Sequence, residues 1–248
     1  MKISVLIPTL NSEKYLIQSI ESVLAQDYTN FEIIFIDKSS TDKTLEIINS
    51  YINKFPDKIS LHNQDKGNLT TAFNMGVDLA KGDFFIVLGS DDVFNLGCFS
   101  KVNNAYKKSK SEFIFSNTQI FDENSKVYKT WNTNLKSVNS IFFHRVLGHQ
   151  ALFMKTDLIK KVGYFDESFK YAMDYDIIVK GLLNSKFCYV DDYFCKFRMS
   201  GDNLTSKYIF DSLGEKEKII RKFCPKLLLP FSLIYLNLVR VKKYFSYR

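Results

Sequence analysis

Phe84-Phe85-Ile86-Val87-Leu88-Gly89-Ser90-Asp91-Asp92 is an unbroken apolar run that stops at two adjacent carboxylates. A run of this kind has no face to give to water, so it reads as a strand covered on both sides, as in parallel sheets. Ligands of open α/β sheets collect just beyond the carboxyl ends of such strands, which puts Asp91 and Asp92 at the ligand edge. Neighbouring like charges repel unless a cation or basic group compensates them. Hard Mg²⁺ or Mn²⁺ on a substrate diphosphate would do so through oxygen ligands. A solvated Asp-Asp turn that caps the next helix is the simpler alternative, and these nine residues alone leave both open.

The sequence around this run alternates strand and helix. Residues 3–7 and 31–36 read as strands, with residues 59–62 as a shorter third. Between them, Asn11 or Ser12 caps a helix bearing Leu16, Ile20, Val23 and Leu24, and Ser40, Thr41 and Asp42 cap a second bearing Leu45, Ile48 and Ile52. A third helix starts at Thr70 or Thr71 and ends near Lys81-Gly82, where glycine takes a left-handed conformation. This is a doubly wound βαβ pattern. Beyond Asp92 the rhythm changes: a helix with Phe99, Val102 and Tyr106, a strand at 112–116, a hairpin over 118–130 around Asp122-Glu123-Asn124, and a strand at 151–154. A short helix at 157–161, a helix at 174–184 and a closing strand at 187–190 follow. Residues 131–147 show no period and, with 195–207, read as substrate loops.

The chain has 248 residues, enough for one large α/β domain with an extension, and 46% hydrophobic with 15% aromatic residues excludes a disordered protein. Cys98, Cys188, Cys195 and Cys224 form no CxxC pair, and His62, His144 and His149 are too scattered for a histidine metal site. Reduced thiols and a cytoplasmic setting are the expectation. Charge is uneven. Residues 216–248 hold nine Lys or Arg against Glu217 alone, a net of +8 that leaves −1 for the rest of a chain whose total is +7. A nearly neutral body does not spread a basic face over the fold, so nucleic acid is not an expected partner.

Five segments then carry a family resemblance: 3–11 (Ile-Ser-Val-Leu-Ile-Pro-Thr-Leu-Asn), 37–44 (Asp-Lys-Ser-Ser-Thr-Asp-Lys-Thr), 74–83, 88–92 and 163–180. In this order they resemble the family 2 inverting glycosyltransferases, enzymes of the GT-A fold that use nucleotide sugars, over residues 1–200. The resemblance implies a donor site lined by Pro8, Thr9, Glu13, Ser90 and Asp91, with Asp37 accepting the N3 hydrogen of a uracil or thymine ring. It implies that Asp91 faces ribose or diphosphate and that Asp92 ligates Mn²⁺ or Mg²⁺. Lys66, before the third helix, is placed for phosphate, although Phe73 stands where relatives often have Arg. Direct displacement at an anomeric carbon needs a base for the acceptor hydroxyl. The resemblance gives Asp174 that role, with Asp176 as competitor and Met173 standing where many members have Glu. His149 and Gln150 fall on the acceptor side. Local readings stay open beside these: Asp37 as a turn residue, Glu13 as first-turn stabilisation, Asp174 as an ordinary helix cap, and His149 as a buried, hydrogen-bonded ring.

The expectation is therefore a single GT-A type α/β domain over 1–214, its sheet mixed but mostly parallel. Basic, apolar helices at 215–248 follow, for membrane association or a partner, including a homodimer. The apolar stretch 227–239 is too short to span a bilayer, and its basic flanks suit peripheral contact at the inner face of the cell membrane. The expected reaction moves a sugar, from UDP by preference, to a glycan or lipid-linked acceptor in surface polysaccharide or glycoconjugate biosynthesis. A non-catalytic sugar-binding scaffold and a sugar-phosphate nucleotidyltransferase are the competitors; the second lacks its glycine-rich loop between Pro8 and Tyr15.

Overall fold

Strands β1 (Ile3–Thr9), β2 (Phe31–Asp37), β3 (Ile59–Asn63) and β4 (Phe84–Val87) lie side by side in the order β3-β2-β1-β4, all parallel, with Ile3 opposite both Phe31 and Phe84. These positions come from a computed structural model that describes residues 1–135, 137–143, 147–199 and 207–246. Both faces of this half are covered. Ile3, Val5 and Ile7 of β1 join the core that holds Leu16, Ile20 and Val23 of helix α1 (Leu16–Leu24) and Ile48 of α2 (Thr44–Lys54). Leu6 points the other way, into the core that holds Ala72, Phe73 and Val77 of α3 (Leu69–Leu79). The two-residue alternation of a strand thus feeds two cores, so every position in Phe84–Val87 and Leu88 is apolar and buried. Each such side chain contributes about 1.5–3 kcal/mol.

The second half adds β5 (Val93–Phe94), α4 (Cys98–Ser109), β6 (Phe113–Phe121), β7 (Val127–Trp131), β8 (Leu152–Lys155), α5 (Thr156–Lys161), α6 (Met173–Asn184) and β9 (Phe187–Arg198). The path runs on as β4-β8-β6-β9-β5, with β7 beside β6. Because β8 is antiparallel to both β4 and β6, and β9 is parallel to β6, strands β1–β4, β6 and β9 share one direction. The mixed, mostly parallel sheet is as expected. Helices α7 (Ile209–Phe223) and α8 (Leu229–Ser246) complete the described chain, and the 214/215 boundary falls inside α7.

Several local expectations are corrected. Neither Asn11 nor Ser12 caps α1, which starts after Tyr15 without a side-chain cap. Their groups are taken by the loop after β2: Asn11 N–H donates to Ser40 Oγ (2.9 Å), Asn11 Oδ1 accepts from Thr41 N–H (2.8 Å), and Ser12 N–H donates to Thr44 Oγ1 (2.7 Å). Helix α3 begins one residue early because Asn68 and Thr71 form a capping box. It ends at Ala80 in extended backbone. Gly82 is not left-handed; a Cβ there would lie 2.6 Å from Ser4 N, so close approach of backbone requires glycine. The strand at 112–116 and the first arm of the hairpin are one strand, β6, and the closing strand runs on to Arg198 past register shifts beside Asn117. Within 131–147, a 3₁₀ turn at Val138–Phe143 buries Ile141 and Phe142. Lys136, His144, residues 145–146 and 200–206 of the expected substrate loops lie outside the described residues.

Candidate active site

β4 delivers the chain into Gly89-Ser90-Asp91-Asp92 at the carboxyl edge of the parallel half, and Ser90 Oγ donates to Ser12 Oγ at 2.9 Å. Asp92 is buried. Its N–H donates to Gly89 C=O (3.0 Å), its C=O accepts from Ser19 Oγ (2.6 Å), and its Oδ1 accepts from Arg198 N–H (2.9 Å). A Cβ at position 89 would stand 2.7 Å from Asp92 Oδ2 and 3.0 Å from Asp91 Oδ1, so any side chain there would displace the carboxylates. Burial raises the Asp91 pKa; burial, and then the charge of Asp91, push Asp92 well above the usual carboxylate range. A buried and a half-buried hard-oxygen donor that resist ionising together fit a divalent cation whose remaining ligands are substrate oxygens and water. Protein groups alone would not enclose it: no cluster of three or more His, Cys, Asp or Glu suited to a metal occurs among the described residues.

Arg198, at the end of β9, is the residue that the sequence reading missed. Its side chain is fully buried, with Nε donating to Asp91 C=O (2.9 Å), Nη1 to Asp122 C=O (3.3 Å) and Nη2 to Gln18 Oε1 (2.6 Å). The guanidinium lies between the rings of Tyr15 and Phe121, 4.0 and 4.2 Å from their centroids. It ties the carboxylate loop to α1 and to the β6–β7 hairpin. The signal was present as a lone arginine closing an aromatic-rich strand, Phe187–Arg198, but the strand was expected to stop at residue 190.

Opposite the carboxylates, α6 presents Asp174 in its first turn, and Asp174 Oδ2 lies 3.3 Å from Nδ1 of His149. Burial opposes ionisation of Asp174, yet the His149 hydrogen bond and the charges of His149 and Lys216 outweigh it and hold the carboxyl below its ordinary range. Asp176 is fully buried and forms an ion pair with Lys180 at 2.5 Å, one turn along α6. Burial raises its pKa against the pull of Lys180.

A cavity of about 640 Å³ joins these groups. Pro8, Ser90, Asp91, Asp92, His149 and Asp174 line it, as do Tyr15, Phe73, Phe197 and Lys216. Five other expected site residues are not on its wall. Asp37 is fully buried and accepts from Thr9 Oγ1 (2.7 Å), Ser40 N–H (2.8 Å) and Ser40 Oγ (2.6 Å), so it and Thr9 lock the two strand ends together. Glu13 accepts from Lys43 N–H (2.9 Å) before α2; Lys66 is exposed; Gln150 is buried. Asp176 is not on the wall either.

The sequence model described as Glycosyl transferase family 2 matches residues 4–168, well over half of the chain, and so takes in the strand that delivers the carboxylates. The chain belongs to glycosyltransferase family 2. An uncharacterized glycosyltransferase of Rickettsia typhi is 30% identical over 235 residues, covering 91% of this chain and 72% of the relative. The poly(ribitol-phosphate) beta-N-acetylglucosaminyltransferase TarS of Staphylococcus aureus is 27% identical over 217 residues, 84% of this chain but only 38% of TarS. Among solved structures, TarS 1–349 in complex with UDP-GlcNAc superposes with a TM-score of 0.75 at 22% identity, over 95% of this chain and 70% of that one. A Pyrobaculum calidifontis mannosyltransferase in complex with GDP-Man and Mn²⁺ gives 0.71 at 15%, over 96% and 70%. At such identities the likeness establishes the fold, the GT-A arrangement expected from the motifs. The family 2 membership makes the protein a glycosyltransferase enzyme, which removes the scaffold and nucleotidyltransferase readings.

Proposed function

We propose that this enzyme moves a sugar from a nucleotide diphosphate sugar, UDP-linked, to a hydroxyl of a glycan or lipid-linked acceptor, with inversion and with help from a divalent cation. The observation that carries the reading is the meeting, on one cavity, of the Asp91-Asp92 pair and the His149–Asp174 pair. Asp92, with Asp91, would hold Mn²⁺ or Mg²⁺, which when bound neutralises charge on the departing diphosphate. Pro8 and Ser90 flank the donor. Asp37, Thr9, Glu13 and Lys66 act at its nucleotide end, Asp37 and Thr9 by fixing the loops after β1 and β2. Asp174 Oδ2 takes the proton of the attacking hydroxyl, and its depressed pKa keeps it ionised and ready to accept. His149 orients that oxygen, and Gln150 supports the turn that carries His149. Attack opposite the leaving group in a single displacement inverts the anomeric centre.

The test is release of UDP from UDP-N-acetylglucosamine and a panel of other nucleotide sugars, with Mn²⁺, Mg²⁺ or EDTA. Asp174→Asn should still bind UDP but lose turnover by two orders of magnitude or more, on the order of what a positioned base contributes. Normal turnover by this variant, with Asp176→Asn inactive, would give the role to the wrong carboxylate.

A peripheral place at the inner face of a membrane, in surface polysaccharide or glycoconjugate assembly, is part of the proposal. Phe231, Ile234, Leu238, Val241 and Phe245 are exposed at helical spacing along α8, Leu227 is exposed in the turn before it, and Lys226 and Lys242 are exposed as well. No described helix is long and apolar enough to cross a membrane. Such a face suits insertion at a lipid interface with basic groups at the headgroups. Co-sedimentation with anionic vesicles that weakens with salt is the expected result. Recovery in the supernatant as a dimer would assign the face to a second copy.

A further inference from the structure

Helix α6, which carries Asp174, starts without a side-chain cap of its own; its flanking residue is Ala172. The acceptors come from α7. Glu215 Oε1 accepts from Lys170 N–H (3.0 Å), and Oε2 accepts from Tyr171 N–H (2.8 Å) and Ala172 N–H (2.9 Å). A carboxylate at three consecutive backbone donors fixes the chain that leads into the helix, the last of them being the N–H of the flanking Ala172, and it suits the positive end of the helix dipole. Ser212 Oγ donates to Tyr171 C=O (3.2 Å), and the Tyr208 ring stacks on that of Tyr171 with centroids 4.6 Å apart and planes at 20°. Tyr208, Ser212 and Glu215 are four and three residues apart, hence on one face. Lys216 shares it. The lysine side chain reaches the cavity, with Nζ 5.5 Å from the Tyr175 ring centroid, and takes no hydrogen bond or ion pair among the described residues.

We propose that Glu215 and Lys216 are positioning residues for Asp174: Glu215 fixes the backbone leading into α6, and Lys216 sets a positive charge on the cavity wall beside the carboxylate. The inference rests on the reading of Asp174 as the base, and it moves α7 from a basic tail into the catalytic unit. The charged and titratable groups around Asp174 are His149 from the 149–151 turn, Lys216 from α7, Lys170 ahead of α6, and Asp91 across the cavity. The charge of Lys243 of α8 adds to burial in lowering the Lys216 pKa. Burial lowers the Lys216 pKa and Asp174 raises it, as expected for an ammonium that shares a half-enclosed space with that carboxylate.

The experiment uses the full chain with carboxyl-¹³C aspartate, the Asp174 signal being assigned by Asp174→Asn. Lys216→Met should move the Asp174 titration midpoint upward, because a neighbouring cation that favours the ionised form is gone, and Lys216→Arg should hold it in place. Lys216→Gln replaces Met if that variant fails to fold. In Glu215→Ala, with far-UV circular dichroism retained, the amides of residues 170–172 should exchange with solvent at least tenfold faster. With UDP-N-acetylglucosamine and Mn²⁺, Lys216→Met should lower kcat and move the acidic limb of its pH profile upward, while UDP affinity stays within twofold. An unmoved Asp174 midpoint in Lys216→Met and Lys216→Gln, or unaltered protection at 170–172, overturns the proposal. Should the wild type turn over no nucleotide sugar, the functional reading falls, while titration and exchange still decide the positioning roles.

Discussion

Removing the Arg198 guanidinium should cost this protein both stability and the placement of the Asp91-Asp92 pair proposed to hold a cation. In Arg198→Met the chain loses the side-chain hydrogen bonds to Asp91 C=O, Asp122 C=O and Gln18 Oε1, and a cation held between two rings. Hydrogen bonds involving a charged group contribute about 1.5–3 kcal/mol each, and a desolvated cation–π contact about 2 kcal/mol. Several kcal/mol of guanidinium desolvation offset much of that gross gain. The net loss on removing one member of such a buried network is about 3–5 kcal/mol. At about 2–4 °C per kcal/mol for a chain of this size, Tm should fall by about 6–20 °C. Arg198→Lys keeps the charge but not the planar fork, and an ammonium cannot donate along three diverging directions while lying flat between rings. It should therefore lose about half as much or more. Scanning calorimetry with urea unfolding measures both variants, and Mn²⁺-induced stabilisation reports the site. If both variants melt within about 2 °C of the wild type, the guanidinium is not what fastens the carboxylate loop.

Three further outcomes follow from the same loop. Asp92→Asn, which keeps the shape and removes a charged oxygen ligand, should cut nucleotide-sugar turnover by about 10²-fold or more, and EDTA should do the same to the wild type; undiminished rates in either case would exclude cation assistance. Gly89→Ala should weaken Mn²⁺ binding measured by calorimetry, because its Cβ would stand 2.7 Å from Asp92 Oδ2; unchanged affinity would mean that the loop relaxes freely. Asp91 and Asp92 have raised pKa values, so the folded state holds their protons more tightly than the unfolded chain does. Without a cation, their contribution is fully present below about pH 4 and is lost as pH rises through the raised values. Mn²⁺ should consequently raise Tm more at pH 7.5 than at pH 4.5, and equal shifts at the two pH values would contradict the assignment.

The parallel half was legible because both its faces are covered: the continuous apolar run at 84–88, with the runs at 3–7 and 31–36 interrupted only by Ser4 and Glu32, can satisfy burial in few other ways. Asp91, Asp92, Asp174 and His149 were legible because the chemistry of the resemblance names residue types at fixed places, and the cavity brings these four together. What escaped depends on contacts between distant segments. The capping oxygens are taken elsewhere: Asn11 Oδ1 accepts from Thr41 N–H thirty residues on, and Ser12 Oγ accepts from Leu10 N–H and Ser90 Oγ, so neither is left for α1. Arg198 draws its partners from positions 18, 91 and 122. Residues 215 and 216 read as the start of a basic tail because net charge averages over a segment, whereas the facing of α7 toward 170–172 is a matter of packing. A continuous strand β6 was split in two because Asn117 and Thr118 sit at register shifts, where the polar residues that suggest a break are paired with β9.

The order of strands in the sheet also dictates an order in time. Everything needed for β3-β2-β1 lies before residue 64, in two short crossovers between neighbours, whereas β4 returns to β1 from Phe84 opposite Ile3, and β9 to β6 from Phe187 opposite Phe113. Local units form early, and contacts between distant segments must first meet the entropy of closing their loops. A chain emerging from the ribosome N-terminus first can therefore assemble its parallel half while β9 and α7 are still being synthesised. Asp91 and Asp92 then wait for Arg198 of β9, and Asp174 for Glu215 and Lys216 of α7, so the cavity is complete only once α7 has docked. A nascent chain stalled at residue 200 should protect its first three strands from protease yet leave the α6 segment open to cleavage.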